Sequence, residues 1–197
     1  QKISNLDNRI KIIINKVKLG AGLSRNKGVI SSKGNYLAFI DADDIWKKNK
    51  IKKQLMFMKK MNYEISHTSY EIIDDKRNII GFRRARNFTT FKDLLRSCDI
   101  GLSTVIMKRQ IFIKKCVFVK LKTKEDFVLW LNILKKNITI GSIDVNLTQW
   151  RKLENSLSSP VIRKLIDGYL VYSKYMKFNY LQSIYYLFCL CINFLKK

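Results

Sequence analysis

Apolar and polar residues alternate over residues 9–19, with Ile10, Ile12 and Ile14 on one side, followed by Val17 and Leu19. A period of two predicts a half-buried strand. Gly20-Ala21-Gly22 breaks it, and Ser24 is placed to cap a helix running through Val29 and Ile30 to Gly34. The continuous apolar run at residues 36–40 suits a buried strand. Ile51, Leu55 and Met58 then fall on one face of a helix whose other face carries lysines. Residues 64–73 and 78–84 flank a turn-like Asp74-Asp75-Lys76-Arg77-Asn78 and predict a hairpin. Thr89 or Thr90 can cap a helix over residues 91–98, residues 104–107 form a short strand, and Thr123 can cap a helix that places Phe127, Leu131 and Leu134 together. Strand-like residues 138–147 follow. Strands alternating with helices, then a mixed region, imply an α/β domain with a mixed, largely parallel sheet flanked by helices.

The pattern changes after Pro160. Residues 161–177 read as an amphipathic helix, and residues 178–195 carry no charge between Lys177 and Lys196-Lys197. That stretch is at the lower limit for crossing a bilayer, and Asn179, Gln182, Ser183 and Asn193 interrupt it. Its tyrosines and flanking lysines suit a helix lying at a membrane surface, with packing onto the domain and a membrane span as alternatives. The expected division is a domain over residues 1–159 and a helical extension over residues 160–197.

Composition narrows the classes. A hydrophobic share of 47% in 197 residues is that of one globular domain, not a disordered chain. The formal net charge of +24 is compatible with an anionic membrane surface or with nucleic acid. The lysines are dispersed and no nucleic-acid-binding motif is present, so no nucleic-acid partner is expected. Four cysteines without CxxC spacing and a single histidine give no zinc pattern; the cysteines read as small core residues of a reducing compartment.

Four clusters carry candidate chemistry. Asp41-Ala42-Asp43-Asp44 ends the buried run, and in an extended backbone Asp41 and Asp43 point to one side. Repulsion among these acids is relieved either by a divalent cation, Mg²⁺ or Mn²⁺, that also takes substrate phosphates, or by solvent in a capped turn. Gly20 to Gly28 lacks dinucleotide-binding spacing, yet Arg25 at a helix start could face an anion. Glu125-Asp126 lies at a helix start, where acids satisfy the dipole or supply a general base. Trp150-Arg151, with Ser156 and Ser158 beyond, offers a phosphate partner or a plain surface loop.

In this order the clusters resemble family 2 glycosyltransferases. The resemblance rests on Gly-x-x-x-x-Arg-Asn-x-Gly, on Gly-x-Tyr-Leu-Ala-Phe-Ile-Asp-Ala-Asp-Asp-x-Trp from Gly34 to Trp46, on Glu125-Asp126, and on Trp150-Arg151 before Ser-x-Ser; it covers about residues 10–158. It implies the GT-A fold and inverting sugar transfer from a nucleotide-sugar donor to a glycan or lipid-linked acceptor, in bacterial polysaccharide or lipopolysaccharide synthesis. Residue by residue it implies Asp41 and Asp43 as the metal pair of the DxD motif and Asp126 as catalytic base. Arg25, Asp41 and Arg151 fall on the donor and diphosphate side, with Arg151 in a closing loop. Asp44, Glu125 and His67 fall toward the acceptor. Leu153 stands where a histidine is common and Lys48 where a proline is common. The family's first strand has no counterpart in the sequence, so the expectation is a domain lacking its N-terminal strand. The expected location is cytoplasmic, at the inner face of the cytoplasmic membrane. A non-catalytic sugar-nucleotide- or carbohydrate-binding remnant of the same fold is the main alternative function, and a basic nucleic-acid-binding protein is the second.

Overall fold

The computed structural model describes residues 7–113, 116–153 and 161–196. The elements are α1 (Ala21–Ser31), β1 (Tyr36–Ala38), β2 (Ile45–Trp46), α2 (Lys50–Lys60), β3 (Ile65–Ile73), β4 (Ile79–Arg83), α3 (Phe91–Leu94), β5 (Ile106–Lys108), α4 (Arg109–Ile113), α5 (Glu125–Lys135), β6 (Ile140–Arg151), α6 (Val161–Leu170) and α7 (Tyr180–Leu195). A 3-10 turn (Leu102–Thr104) precedes β5, and a π-helical turn (Val171–Tyr175) continues α6. The strands form one sheet in the order β1-β5-β3-β6-β2, with β4 also paired to β3.

The mixed α/β architecture is as expected, but its parallel share is smaller. Among the described residues β3 and β6 are the only parallel pair; the other pairings are antiparallel. The hairpin expected around residues 74–78 is present: Asp74 Oδ1 accepts the Asn78 amide at 2.8 Å, and β3 pairs with β4. The strand expected over residues 9–19 does not form. Ile10, Ile12, Ile13 and Ile14 are exposed, and none of the named strands pairs with them. Alternation specifies which side chains share a face, whereas a strand also needs a neighbouring edge to satisfy its amides.

Two expected helix caps shift. α1 begins after Gly20, and the Ser24 hydroxyl instead donates back to the Gly20 carbonyl at 2.7 Å. α5 begins after Lys124, whose backbone is left-handed with φ 64°. Thr123 gives its amide and hydroxyl to Asp167 Oδ2, each at 2.9 Å, which ties the start of α5 to α6. The short α3 follows Thr90 with a capping box in which Asp93 Oδ2 accepts the Thr90 amide at 2.7 Å.

On α2 the buried face is Lys50, Gln54 and Met58; Ile51 is exposed. The apolar stripe read from the sequence is therefore rotated by one position, because a slot lined by carbonyls receives the polar pair. The core gathers Leu37 and Phe39, Ile65 of β3, Val105 and Met107 near β5, and α5 from Phe127 to Leu134, including Trp130. Val171, Tyr172, Met176 and Leu190 of the C-terminal helices join this same cluster, and the Tyr172 hydroxyl donates to the Leu95 carbonyl at 2.6 Å.

Candidate functional site

The chain after β1 turns sharply at residues 41–44, where the Asp44 amide donates to the Asp41 carbonyl at 3.1 Å. The 3-10 turn (Leu102–Thr104) supports it from below. Ser103 Oγ accepts the Asp41 amide at 3.0 Å, and the Ser103 carbonyl accepts Trp46 Nε1 at 2.7 Å. The Ser103 side chain also lies near the Asp44 carboxylate and favours its charged form. Ser103, which nothing in the sequence singles out beyond its place before a short strand, thus holds the start of the acidic turn and the Trp46 ring that follows it.

α1 approaches this turn through Gly22. A β-carbon there would lie 2.7 Å from the Val119 carbonyl and 3.0 Å from Glu125 Cγ, so only glycine lets α1 pack this close. Asn26 clamps the next segment in both directions, donating to the Phe118 carbonyl at 2.8 Å and accepting its amide at 3.0 Å. Arg25 is thereby aimed between two acids. One guanidinium nitrogen donates to Asp41 Oδ1 at 2.6 Å, and the other makes a short ion pair with Glu125. The arginine, the first acid of the turn and the start of α5 meet at one point, although Arg25 and Glu125 are 100 residues apart in sequence.

Next to that bridge Asp126 is half-buried. Burial first, and then the neighbouring Glu125 charge, push its carboxyl up to about 7. Asp44 is buried, and loss of hydration raises its carboxyl to about 6, against the opposing pull of the nearby Ser103 side chain and of the Arg151 amide. Its Oδ1 takes the Arg151 amide at 3.0 Å; its Oδ2 is buried without a hydrogen-bond partner. Tyr70 of β3 packs its ring against Gly101, and burial, with the charges of Asp44 and Asp126 adding to it, pushes its hydroxyl up to about 12.

Arg151 and Trp150 are the last residues of β6, not members of a loop. The Arg151 guanidinium is engaged by the backbone, with Nε on the Asp43 carbonyl at 3.0 Å and a terminal nitrogen on the Asp74 carbonyl at 2.8 Å. It therefore braces the acidic turn against the β3–β4 hairpin. Ser156 and Ser158 lie outside the described residues. His67 is buried in β3 beside Phe88, bonded through Nε2 to the Arg86 carbonyl; burial lowers its imidazole to about 4, so it is neutral at physiological pH.

Behind the turn lies a buried polar pair, of which Lys50 belongs by apolar spacing to the lysine-bearing face of α2. Lys50 is fully buried; its ammonium donates to Gln54 Oε1 at 2.8 Å and to the Thr104 carbonyl at 3.3 Å, and lies 4.8 Å from the Trp46 ring centre. Burial brings it down to about 7. The Gln54 amide in turn donates to the Ser66 and Thr104 carbonyls at 2.9 and 3.0 Å.

The donor set of the turn is all carboxylate oxygen, which suits a hard divalent cation. Among the described residues no three carboxylate, imidazole or thiol groups converge closely enough to enclose an ion by themselves. The exposed Asp43, Asp41 with one oxygen on Arg25, and the orphaned oxygen of Asp44 fit a cation that completes its shell with water and substrate phosphate.

The fold matches that of Staphylococcus aureus TarS in a crystal structure with UDP-GlcNAc, with TM-score 0.59 and 16% identity over 86% of this chain and 51% of that one. An α/β sheet with this turn at the end of β1 is that of the GT-A class. The chain belongs to glycosyl transferase family 2, whose pattern matches residues 1–117. It is 34% identical to the Escherichia coli UDP-Glc:alpha-D-GlcNAc-diphosphoundecaprenol beta-1,3-glucosyltransferase WfgD, over 97% of this chain and 74% of that protein. It is 30% identical to the Bacillus subtilis glycosyltransferase TuaG, assigned to teichuronic acid biosynthesis, over 93% of this chain and 73% of that protein. The chain thus spans about three quarters of these relatives and about half of the TarS structure.

Proposed function

We propose that the chain provides the diphosphate side and the catalytic base of an inverting glycosyltransferase. Its donor is a nucleotide sugar, and its acceptor is a hydroxyl of a glycan or lipid-linked intermediate in cell-surface polysaccharide synthesis. The observation that carries the reading is the bridge from Arg25 to both Asp41 and Glu125, which sets Asp126, the next residue of α5, beside the acidic turn. TarS binds UDP-GlcNAc in its crystal structure and WfgD is named for a diphosphoundecaprenol acceptor, which supports both substrate classes.

Asp126, with its carboxyl near neutrality, takes the proton of the acceptor hydroxyl as that oxygen attacks the anomeric carbon. The bond to the diphosphate breaks on the opposite side, the nucleoside diphosphate leaves, and one displacement inverts the centre. Arg25 and Glu125 hold the base and the acidic turn in register. Asp41 and Asp43 would hold Mg²⁺ or Mn²⁺, which when bound neutralises charge on the leaving diphosphate. Arg151 keeps the turn on that side rigid through the Asp43 carbonyl. The work is done on the cytoplasmic side of an anionic membrane, where a lipid-linked acceptor resides.

Asp126→Asn preserves size and removes the base. Turnover of a nucleotide sugar with added Mn²⁺ is expected to fall by about 10³-fold or more, with donor affinity measured by calorimetry unchanged. Turnover at the wild-type rate in this variant would sink the base assignment. Donor binding without any turnover by the wild-type chain would favour a non-catalytic binding role.

A further inference from the structure

Beside α7 lies a groove of about 690 Å³ whose walls come from the segment between β4 and the 3-10 turn and from α7 with its C-cap residue Lys196, including Arg86, Lys92, Arg96, Asp99 and Asn193. Its acids are already engaged. Asp93 caps α3, and Asp99 pairs with Arg86. Lys92, Arg96 and Lys196 have no ion-pair partner among the described residues. Asn193 fixes the wall by donating to the Arg96 carbonyl at 2.9 Å, and the Arg96 guanidinium lies 6.0 Å from the Tyr185 ring centre.

The neighbouring face of α7 is apolar and uncovered. Leu181, Ile184, Tyr185, Phe188 and Leu195 recur at helical spacing, with Leu181 76%, Phe188 63% and Leu195 82% exposed. Tyr186 and Asn193, which line the groove, sit on the adjoining face, so the cations border the stripe. Lys164 of α6 reaches over Phe194 at 5.6 Å, placing a further cation on the stripe's other side. No described helix is long and apolar enough to cross a membrane. A helix with an apolar face flanked by cations is built to lie in a lipid–water interface.

We propose that this face docks on a bilayer bearing anionic lipids, with the stripe of α7 in the acyl boundary and a lipid phosphate seated among Lys92, Arg96 and Lys196. The proposal rests on the reading that transfer occurs at a membrane surface, and it assigns the part of the molecule that meets it. The test is co-sedimentation of the whole chain with vesicles of phosphatidylcholine, alone or mixed with phosphatidylglycerol. Wild type is expected to pellet with the mixed vesicles only. The Lys92→Gln/Arg96→Gln/Lys196→Gln variant is expected to bind them on the order of 100-fold more weakly, at about a factor of five per basic residue. Phe188→Ser with Leu181→Ser is expected to lose binding as well. Lys92→Gln with Lys196→Gln, both at exposed positions, serves if the triple variant does not fold. Neutralising Lys52, Lys53 and Lys59 on the exposed face of α2 is expected to cost much less. An equal loss there would reduce the effect to bulk charge and overturn the groove. Saturable binding of inorganic phosphate without vesicle binding would overturn the lipid as its source. Wild type that ignores the vesicles yet transfers sugar would overturn the docking face while leaving the proposed reaction intact.

Discussion

Replacing Lys50 by methionine tests whether the buried polar pair behind the acidic turn titrates. In the wild type the ammonium is fully buried, with no carboxylate partner among the described residues, and is drawn down from 10.5 to about 7 by loss of hydration. Between those values the unfolded chain binds a proton that the folded chain has largely released, so wild-type stability rises with pH across that window. Working the two titrations through from pH 7 to pH 9 gives a gain of about 2 kcal/mol from this residue alone. Two carbonyl oxygens and the Trp46 ring face favour the charged form, so this is an upper value. Methionine has no proton to release. It leaves Gln54 Oε1 without its donor, which costs about 1–3 kcal/mol at any pH, while the Thr104 carbonyl keeps its bond from Gln54. The expected result is a variant less stable than wild type at pH 9 and closer to it at pH 7. Urea unfolding of both proteins at several pH values measures the difference between the curves, in which every other titrating group cancels. Parallel curves from pH 7 to pH 9 would refute the titration of Lys50.

Asp44→Asn should act with the opposite sign of slope. The Asp44 carboxyl is raised to about 6, so its ionisation weakens the fold as pH rises from about 4 to 6. The neutral variant should be more stable than wild type at pH 7.5 by up to about 3 kcal/mol in the presence of a chelator, read by thermal unfolding, and no gain would argue that Asp44 ionises freely. Gly22→Ala places a methyl group 2.7 Å from the Val119 carbonyl and 3.0 Å from Glu125 Cγ. It should destabilise by about 1–3 kcal/mol and lower turnover by displacing Arg25 from Asp41, whereas an unchanged melting temperature would show that α1 can retreat at no cost.

The sequence by itself determined the local elements and the chemical inventory. Spacing of apolar residues located α2 and α5, capping and turn signals located α1 and the β3–β4 hairpin, and an uncharged run located α7, each to within a few residues, since all these signals lie in near neighbours along the chain. The resemblance through Gly34 to Trp46 and Glu125-Asp126 likewise identified the family, because it concerns which residues occur in what order. Tertiary structure decided what each residue faces. Alternation over residues 9–19 could not supply a strand partner. The rotation of α2 that buries Lys50 and Gln54 came from carbonyls of Ser66 and Thr104, on other segments. Asp41 became part of a bridge only when Arg25 and Glu125 reached it, and Ser103 acquired its place under the acidic turn across 62 residues of chain. Local periodicity is written in each segment, but hydration, charge pairing and hydrogen-bond satisfaction belong to the space between segments. They exist only once the chain has closed on itself.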